Sequence, residues 1–270
     1  PHWMIVVLAA MIGQIGQPGG GFGLGYSAEN GIGNPVKHFK WPALNQFKNL
    51  ITDFIPVARY SDMLLNPGKN FTFNGQTYQY PNIKLVYWAG GNPFHHQMNL
   101  SKLRKATFKP DTIITNEIWW NSLARHADII FPTTTTLERN DIGFRHWEQT
   151  VSPMHKAIDP IGNSRNDFDI FSLISEKLGI KEQFTENKNE EEWLKTLWDE
   201  AKESARENNF YLPDFDQFWN GGFFEVLKPT HEQILMEDFV KKPKQFPLSN
   251  RSKKIEIFSD EVDSFNYPDC

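Results

Sequence analysis

Cysteine is nearly missing from this sequence, since the only one, Cys270, is the last of 270 residues. An internal disulfide framework and a thiolate metal cluster are therefore excluded. Basic residues are not in excess either: the net charge is −5 and the pI is about 5.9. This balance argues against nucleic acid as a partner, because proteins that bind it present a basic face. The longest apolar run, Met4–Ile15, is interrupted at Gly13 and Gln14 and is too short to span a membrane.

Several familiar catalytic motifs are also missing. The sequence contains no HExxH, no CxxC pair and no Ser-His-Asp nucleophile elbow. It has no GxGxxG turn, which argues against a nicotinamide or flavin dehydrogenase. His95 and His96 are adjacent, so their side chains diverge in most backbones, and we expect no mononuclear metal site that uses both. The residues taken alone therefore indicate ligand binding and do not reveal a catalytic centre.

What the sequence does contain is an alternation of short β-rich runs with helical runs. The β-rich runs are Ile83–Ala89, Thr112–Thr115 and Ile129–Pro132. Such alternation is typical of βαβ units around a buried parallel sheet, so we predict an α/β fold. In such a sheet, a ligand binds beyond the carboxyl ends of the strands. We therefore expect the binding residues on the three loops that follow these runs.

Other segments predict the elements around this sheet. Trp3–Ile15 reads as a mostly buried helix that ends at Gly16 and Pro18, because apolar residues cover nearly every face. Gly19–Tyr26 is glycine-rich and fits either an ordered, packed loop or a flexible surface loop. The remaining predictions are a hairpin on Asn74-Gly75, helices over Asp167–Leu178, Asn189–Asn208, Asp214–Trp219 and His231–Lys241, and strands over His146–Val151 and Lys253–Ser259.

The first predicted binding loop is Gly90-Gly91-Asn92-Pro93. Two glycines let backbone N–H groups approach an anion closely, and the start of the following helix adds partial positive charge. The Asn92 side chain can donate and accept hydrogen bonds at once. The alternative interpretation is a tight βα turn with no ligand.

The other two loops carry charged candidates. Glu117 follows the second strand and could accept hydrogen bonds from a ribose or from a guanine edge, or could simply be a helix-start residue favoured by the dipole. Arg139 has a planar fork of donors that suits a phosphate or a base. Alternatively, Arg139 forms a surface ion pair with Asp141 or Glu138.

Four segments together resemble one known family. Trp88–Gln97 resembles a signature of the molybdopterin oxidoreductases, and Ala124–Asp141 is similar to the next conserved segment of that family. Leu8–Gly23 upstream and Lys254–Ser259 downstream are similar to further segments, in the family's order. Within the family, the sequence resembles the dimethyl sulfoxide, trimethylamine N-oxide and biotin sulfoxide reductases. Each motif alone is weak, but the ordered set is specific.

The resemblance implies a cofactor and its ligands. The family's enzymes hold one molybdenum between two molybdopterin guanine dinucleotides, the bis(molybdopterin guanine dinucleotide) cofactor, and transfer an oxygen atom with two electrons. By resemblance, one dinucleotide would contact the set formed by Gly90, Gly91, Asn92, Pro93, His96, Thr115, Asn116, Glu117, Arg139, Asp167 and Asp169. Within this set, the glycine loop with His96 would hold phosphate and pterin, Thr115–Glu117 would hold ribose and guanine, Arg139 would hold a phosphate, and Asp167 or Asp169 would complete the guanine end.

The same resemblance implies partners and an organisation. It predicts an S-oxide or N-oxide substrate, an electron donor such as a c-type cytochrome, and a periplasmic location, or a cytoplasmic one for the biotin sulfoxide type. The three expected segments are 1–80, the end of a preceding α/β domain; 81–180, a Rossmann-like dinucleotide-binding core; and 181–270, a helical continuation toward a barrel domain. A serine that ligates molybdenum in this subfamily has no matching motif here, so we expect it upstream of this chain. The rival hypothesis is a non-catalytic nucleotide-binding or scaffold subunit.

Overall fold

The structure is a computed structural model that describes residues 2–23, 44, 46–51, 53–144, 150–225 and 234–266. The chain divides into two compact units. We call Leu44–Asp141 with Met154–Lys195 the sheet unit, and Pro1–Ala43, Ile142–Pro153 and Thr196–Cys270 the helical unit. The domain boundaries near residues 80 and 180 stay a prediction.

The elements follow one another in a mixed order of helices and strands. The helices are α1 (His2–Met11), α2 (Tyr60–Leu65), α3 (Pro93–His96), α4 (Leu100–Thr107), α5 (Asp167–Lys177), α6 (Lys181–Thr185), α7 (Glu190–Glu207), α8 (Phe215–Gly221), α9 (Glu237–Lys241) and α10 (Asp260–Ser264). The strands are β1 (Asn70–Phe73), β2 (Gln76–Gln79), β3 (Leu85–Ala89), β4 (Thr112–Glu117), β5 (Ile129–Pro132), β6 (Asp141–Phe144), β7 (Thr150–Met154) and β8 (Phe224–Glu225). Short 3₁₀ turns cover Val57–Arg59 and Ala124–His126.

The sheet unit is organised around the parallel sheet β3-β4-β5. Side chains alternate across the sheet, so Tyr87 and its β4 partner Ile114 face one way while Trp88 and Thr115 face the other. The Tyr87 ring lies 5.5 Å from Phe171 of α5, and the Trp88 ring lies 5.3 Å from Tyr60 of α2. Helices thus flank both faces, and the predicted α/β fold with a parallel sheet is confirmed. The closer Rossmann-like description stays a prediction.

The three strands end at one edge of this sheet. Ala89 pairs with Asn116, and Asn116 pairs with Phe131, so the carboxyl ends of the strands are level. Asp128 stabilises the other edge, where its Oδ2 accepts a hydrogen bond of 2.8 Å from the backbone N–H of Ile113. The register therefore gathers the three following loops on one side, as the sequence predicts.

The predicted hairpin is present as β1 and β2. Asn74 and Gly75 connect the strands with φ values of 46° and 74°. Positive φ at both central residues is the requirement of a type I′ turn, which asparagine and glycine meet most easily. The ring of Phe71 stacks on Tyr80 at 4.4 Å and holds the hairpin against the chain that leads into β3.

The helical unit has an aromatic core. Trp198 of α7 stacks on Phe218 of α8 with ring centroids 3.7 Å apart, and its Nε1 donates to the carbonyl of Pro213 at 2.9 Å. The buried cluster comprises Val151, Trp198, Ala201, Ala205, Phe210, Leu212 and Phe218. The helices predicted near residues 189–208 and 214–219 are therefore present, and they bury the apolar faces that their sequences display.

One prediction in this unit is confirmed in part and another is wrong. The helix predicted over Trp3–Ile15 is present as α1 but ends at Met11, because Gly13 adopts a φ of 69° and its N–H bonds back to Ala10. Most of its apolar side chains are exposed, although the sequence predicts burial. The strand predicted over residues 253–259 is wrong, since they form bends and irregular backbone, because the Asn250 side chain and the Ser252 hydroxyl bond to the local backbone at Lys254.

Other differences are smaller. The strand predicted from His146 lies partly outside the described residues and is described as β7 from Thr150. The glycine-rich loop is described only to Gly23, and the helix predicted from His231 is described as α9 from Glu237. None of the described helices combines the length and the apolar character that a membrane crossing requires.

Candidate functional site

The loop after β3 is built by one asparagine. Asn92 is the N-cap of α3, where its Oδ1 accepts a hydrogen bond of 3.0 Å from the N–H of Phe94, and Pro93 occupies the first helical position. Asn92 is only 9% exposed, and its Nδ2 has no hydrogen-bond partner among the described residues. Gly90 needs glycine because its φ is 80°. The loop therefore carries a buried amide donor without a partner.

The end of β4 is held by a chain of polar side chains. The hydroxyl of Tyr87 donates to Oδ1 of Asn116 at 2.8 Å, and Nδ2 of Asn116 donates to Oδ1 of Asp167 at 2.7 Å. Burial raises the pKa of Tyr87, and the charge of Asp167 raises it further, while the hydrogen bond to Asn116 lowers it. The hydroxyl therefore stays protonated and donates. This chain ties β3, β4 and the start of α5 together.

Two other predicted residues lie on β4 itself, because the strand continues to Glu117 instead of ending at Thr115. The side chain of Thr115 is fully buried in the sheet. Glu117 is half-buried, and its carbonyl accepts a hydrogen bond of 3.1 Å from the N–H of Thr133. The structure thus brings Glu117 to the edge of the site and keeps the side chain of Thr115 away from any surface.

The loop after β5 contains a second buried polar atom without a partner. Thr134 is 3% exposed, and its Oγ1 forms no hydrogen bond within the described ranges. Its carbonyl accepts a hydrogen bond of 3.2 Å from Nη1 of Arg139, and Nε of Arg139 lies 3.3 Å from Oδ2 of Asp141. Arg139 therefore forms the ion pair that the alternative interpretation predicts, and the same contacts hold its guanidinium beside the β5 exit.

Sequence reasoning missed Glu138 as the organiser of this loop. Its Oε2 accepts from the N–H and the hydroxyl of Thr135 at 2.7 and 2.8 Å, and its Oε1 accepts from the N–H of Ile161 at 2.6 Å. These hydrogen bonds, the one from the Thr135 N–H first, lower the pKa of the buried carboxyl. The spacing of Thr135 and Glu138 is that of a capping box, which is the signal that could have found it.

The two aspartates lie in the first turn of α5. Asn166 caps this helix, because its Oδ1 accepts from the N–H groups of Phe168 and Asp169 at 2.7 and 3.4 Å. One oxygen of Asp167 is occupied by Asn116. Asp169 is exposed and lines a cavity of about 670 Å³. The cavity lining also includes Arg165, Phe168, Lys181 and Asn189.

The structure therefore brings some of the predicted site residues together and leaves others apart. Asn92, Glu117 and Thr134 lie at the level carboxyl edge of the sheet, and Arg139 is anchored to that edge through Thr134. His96 is exposed and is the last residue of α3, so it does not lie on β3 itself. In the part of the chain that the structure describes, no cluster of three or more His, Cys, Asp or Glu side chains could hold a metal ion. The arrangement offers neutral donors, the guanidinium of Arg139 and nearby carboxylates, which suits an extended phosphate-containing ligand.

The sequence is similar to several characterised enzymes. It is 41% identical over 271 residues to a biotin sulfoxide reductase of Cereibacter sphaeroides, covering 100% of this chain and 36% of the relative. It is 42% identical over 285 residues to a trimethylamine-N-oxide reductase of Haemophilus influenzae, covering 100% of this chain and 34% of the relative. It is 40% identical to a dimethyl sulfoxide/trimethylamine N-oxide reductase of Cereibacter sphaeroides, again over 100% and 34%. The chain thus spans about a third of the length of these reductases.

Similarity to solved structures is weaker. Acetylene hydratase from Pelobacter acetylenicus matches with a TM-score of 0.43 and 15% identity, over 70% of this chain and 23% of the hydratase. A likeness of this size supports no argument about the site. The model of the molybdopterin oxidoreductases, in contrast, matches residues 1–177. With that match and the reductases above, this chain belongs to the molybdopterin oxidoreductase family.

Proposed function

We propose that this chain is part of a molybdenum-dependent reductase of S-oxides or N-oxides and holds one molybdopterin guanine dinucleotide. Membership of the family implies a molybdenum–pterin cofactor. The relatives named as biotin sulfoxide, trimethylamine-N-oxide and dimethyl sulfoxide reductases support this class of substrate. When bound, the cofactor supplies the oxygen-atom and two-electron chemistry. The residues of this chain bind and orient it.

The observation that carries the proposal is that two of the buried polar atoms without partners lie at the same edge of the sheet. Nδ2 of Asn92 follows β3, Oγ1 of Thr134 follows β5, and neither has a partner in the described part of the chain. A buried polar group left without a hydrogen bond costs about 1–3 kcal/mol, so two such groups at one sheet edge favour a ligand that would satisfy both. Both atoms lie at the carboxyl edge of one parallel sheet, where ligands of such sheets bind.

The charges support an orientation for the dinucleotide. Arg139 lies at this edge through its hydrogen bond to Thr134, and with Gly91 and Asn92 it forms the phosphate end. The carboxylates of α5 form the guanine end, because a carboxylate accepts hydrogen bonds from the N–H groups of a guanine edge. Asp169 is the better guanine acceptor of the two, since one oxygen of Asp167 already accepts from Asn116.

The remaining parts of the enzyme belong to a longer protein in this proposal. They include the second dinucleotide of the bis(molybdopterin guanine dinucleotide) form, the serine that ligates molybdenum and the contacts with an electron donor such as a c-type cytochrome. A periplasmic location is part of the same proposal, with the cytoplasm as the alternative for a biotin sulfoxide reductase type. Sequencing outward from both ends tests this: flanking reductase segments support it, and a start codon and a stop codon at these positions would support the scaffold hypothesis instead.

The sharper test uses the full-length protein and two substitutions. Asn92→Asp keeps the oxygen that caps α3 and removes the unpartnered amide donor. Thr134→Val removes the unpartnered hydroxyl and keeps the shape of the side chain. We expect both variants to lose most of the molybdenum and guanine that the purified wild-type protein contains, as measured by metal analysis and by nucleotide release with acid.

A matched control separates ligand binding from capping. Asn99 caps α4 through Oδ1, which accepts from the N–H of Lys102 at 3.1 Å, and its side chain is exposed. Asn99→Asp should therefore leave the guanine content at the wild-type level. A wild-type protein that releases no guanine would overturn the proposal, and so would full guanine content in the folded Thr134→Val variant.

A further inference from the structure

Glu190, the first residue of α7, connects two loops that are distant in sequence. Its Oε1 accepts a hydrogen bond of 3.3 Å from the backbone N–H of Asn140, and its Oε2 accepts from Nδ2 of Asn166. Both partners are polar groups at the rim of the candidate site. The sequence gives no sign of this bridge, because Glu190 opens a run of three glutamates that reads as a solvated helix start.

Each partner stands next to a residue that the proposed function uses. Asn140 follows Arg139 directly, and its Oδ1 also accepts from the N–H of Lys156 at 3.0 Å. Asn166 caps α5 and so fixes the backbone of Phe168 and Asp169. One carboxylate therefore joins the loop of the phosphate-binding arginine to the helix start that carries the guanine-binding aspartate.

Fold stability is a poor explanation for this arrangement. Burial raises the pKa of Glu190, and the charges of Asp169 and Asp141 raise it further, while the hydrogen bond from Asn140 lowers it. No Lys or Arg of the described ranges forms an ion pair with Glu190, and the carboxylate is half-buried. Glu191 and Glu192 already place negative charge at the N-terminus of α7, so the helix dipole does not require Glu190.

We propose that Glu190 is a positioning residue, which fixes the distance between the phosphate end and the guanine end of the dinucleotide site. This inference rests on the proposed function and extends it to a residue that touches no ligand. Loops that are already ordered lose less conformational entropy when the dinucleotide binds. A fixed distance between the phosphate end and the guanine end therefore favours a nucleotide of matching length.

The polarity of the Glu190–Asn166 hydrogen bond provides the test. In Glu190→Gln, the new amide has one oxygen and one NH₂ group. If its oxygen accepts from the N–H of Asn140, its NH₂ group faces the NH₂ group of Asn166, and two donors cannot form a hydrogen bond. The second substitution, Asn166→Asp, restores a donor–acceptor pair with the direction reversed. It also keeps an oxygen that caps α5 and conserves the net charge of the double variant.

The measurement is the guanine and molybdenum retained by the full-length protein after dialysis, with the thermal unfolding midpoint of each variant recorded beside it. We expect Glu190→Gln to lower cofactor affinity about tenfold, the scale found for residues that orient ligand-binding groups. The double variant should recover most of that loss. Glu191→Gln is the control, since it changes the same charge in the same helix turn without contacting Asn140 or Asn166.

The outcomes separate this inference from the proposed function. If wild-type protein holds guanine and Glu190→Gln holds the same amount, Glu190 does not position the site and the inference is overturned. It is also overturned if the loss of cofactor only follows a loss of thermal stability and the double variant restores neither. If wild-type protein holds no guanine, the proposed function itself is wrong.

Discussion

Two regions of this chain, the aromatic core of the helical unit and the carboxyl edge of the parallel sheet, satisfy their buried polar groups differently. In the aromatic core of the helical unit, the indole N–H of Trp198 donates to the carbonyl of Pro213, and apolar side chains fill the rest of the cluster. At the carboxyl edge of the sheet unit, Asn92 and Thr134 each bury a polar atom for which the described residues supply no partner. The first pattern is that of a core formed for stability. The second is the pattern on which the proposed ligand site rests.

The largest expected effect breaks the aromatic core. Trp198→Ala removes a ring that stacks on Phe218 and leaves the carbonyl of Pro213 without its donor. We expect a loss of about 3–5 kcal/mol in the free energy of unfolding, measured by urea titration. Trp119→Ala is the matched control, because Trp119 is 70% exposed and its loss should change the free energy by less than about 0.5 kcal/mol. Equal losses in both variants would contradict the description of this core.

The next prediction concerns acid sensitivity at the β5 exit. Hydrogen bonds hold the pKa of Glu138 below its ordinary value in the folded state. Its stabilising effect is therefore fully present above the unfolded-state pKa and is lost as pH falls through the lowered folded-state pKa. Glu138→Gln should destabilise the protein at neutral pH and flatten the decline of the urea midpoint toward acid pH. An unchanged decline would show that the carboxylate does not organise the loop.

A third prediction compares two buried threonines. The hydroxyl of Thr107 donates to the carbonyl of Arg104 at 2.8 Å, whereas the hydroxyl of Thr134 has no partner in the described structure. Without cofactor, Thr107→Val should lower the free energy of unfolding by about 1 kcal/mol, and Thr134→Val should leave it unchanged or raise it. Equal destabilisation of the two cofactor-free variants would remove the contrast between a buried hydroxyl that has a partner and one that has none.

The smallest expected effects on stability concern two adjacent glycines, Gly90 and Gly91. Gly90 has a φ of 80°, so Gly90→Ala should cost about 1 kcal/mol through backbone strain. A Cβ on Gly91 would meet only the Trp88 ring at 3.5 Å, an ordinary contact, so Gly91→Ala should leave the free energy of unfolding nearly unchanged. If Gly91 provides close approach to a phosphate, Gly91→Ala should still lower the cofactor content. Full cofactor content in this variant would exclude that role.

Local patterns predicted the elements that depend on neighbouring residues. The Asn74-Gly75 hairpin, the α5 helix ended by Gly179 and the alternation that forms the parallel sheet all follow from turn chemistry and hydrophobic spacing. The wrong predictions have a different origin. The apolar pattern of Trp3–Ile15 predicts burial but does not say which residues would cover the helix. Over residues 253–259, side-chain hydrogen bonds to the local backbone prevent the strand that the alternating pattern predicts.

The residues of the candidate site also divide into those that a local pattern predicts and those that it does not. Strand ends are visible in the sequence, which is why it predicts Asn92 after β3, Glu117 at the end of β4 and Arg139 beyond β5 as candidates. The hydrogen bonds of Glu138 and Glu190 join segments that are distant in sequence, so no local pattern reveals where their carboxylates point. Thr115 shows the reverse case, since β4 extends past it and buries it.

The amino-acid sequence by itself determined the family and the parallel sheet, and it predicted the edge where we propose that a ligand binds, because these depend on motifs, on periodicity and on the direction of the strands. Only the tertiary structure decided which polar atoms at that edge already have partners and which do not. A hydrogen bond depends on distances of a few tenths of an ångström between segments that folding brings together, and that information is absent from any one stretch of the chain.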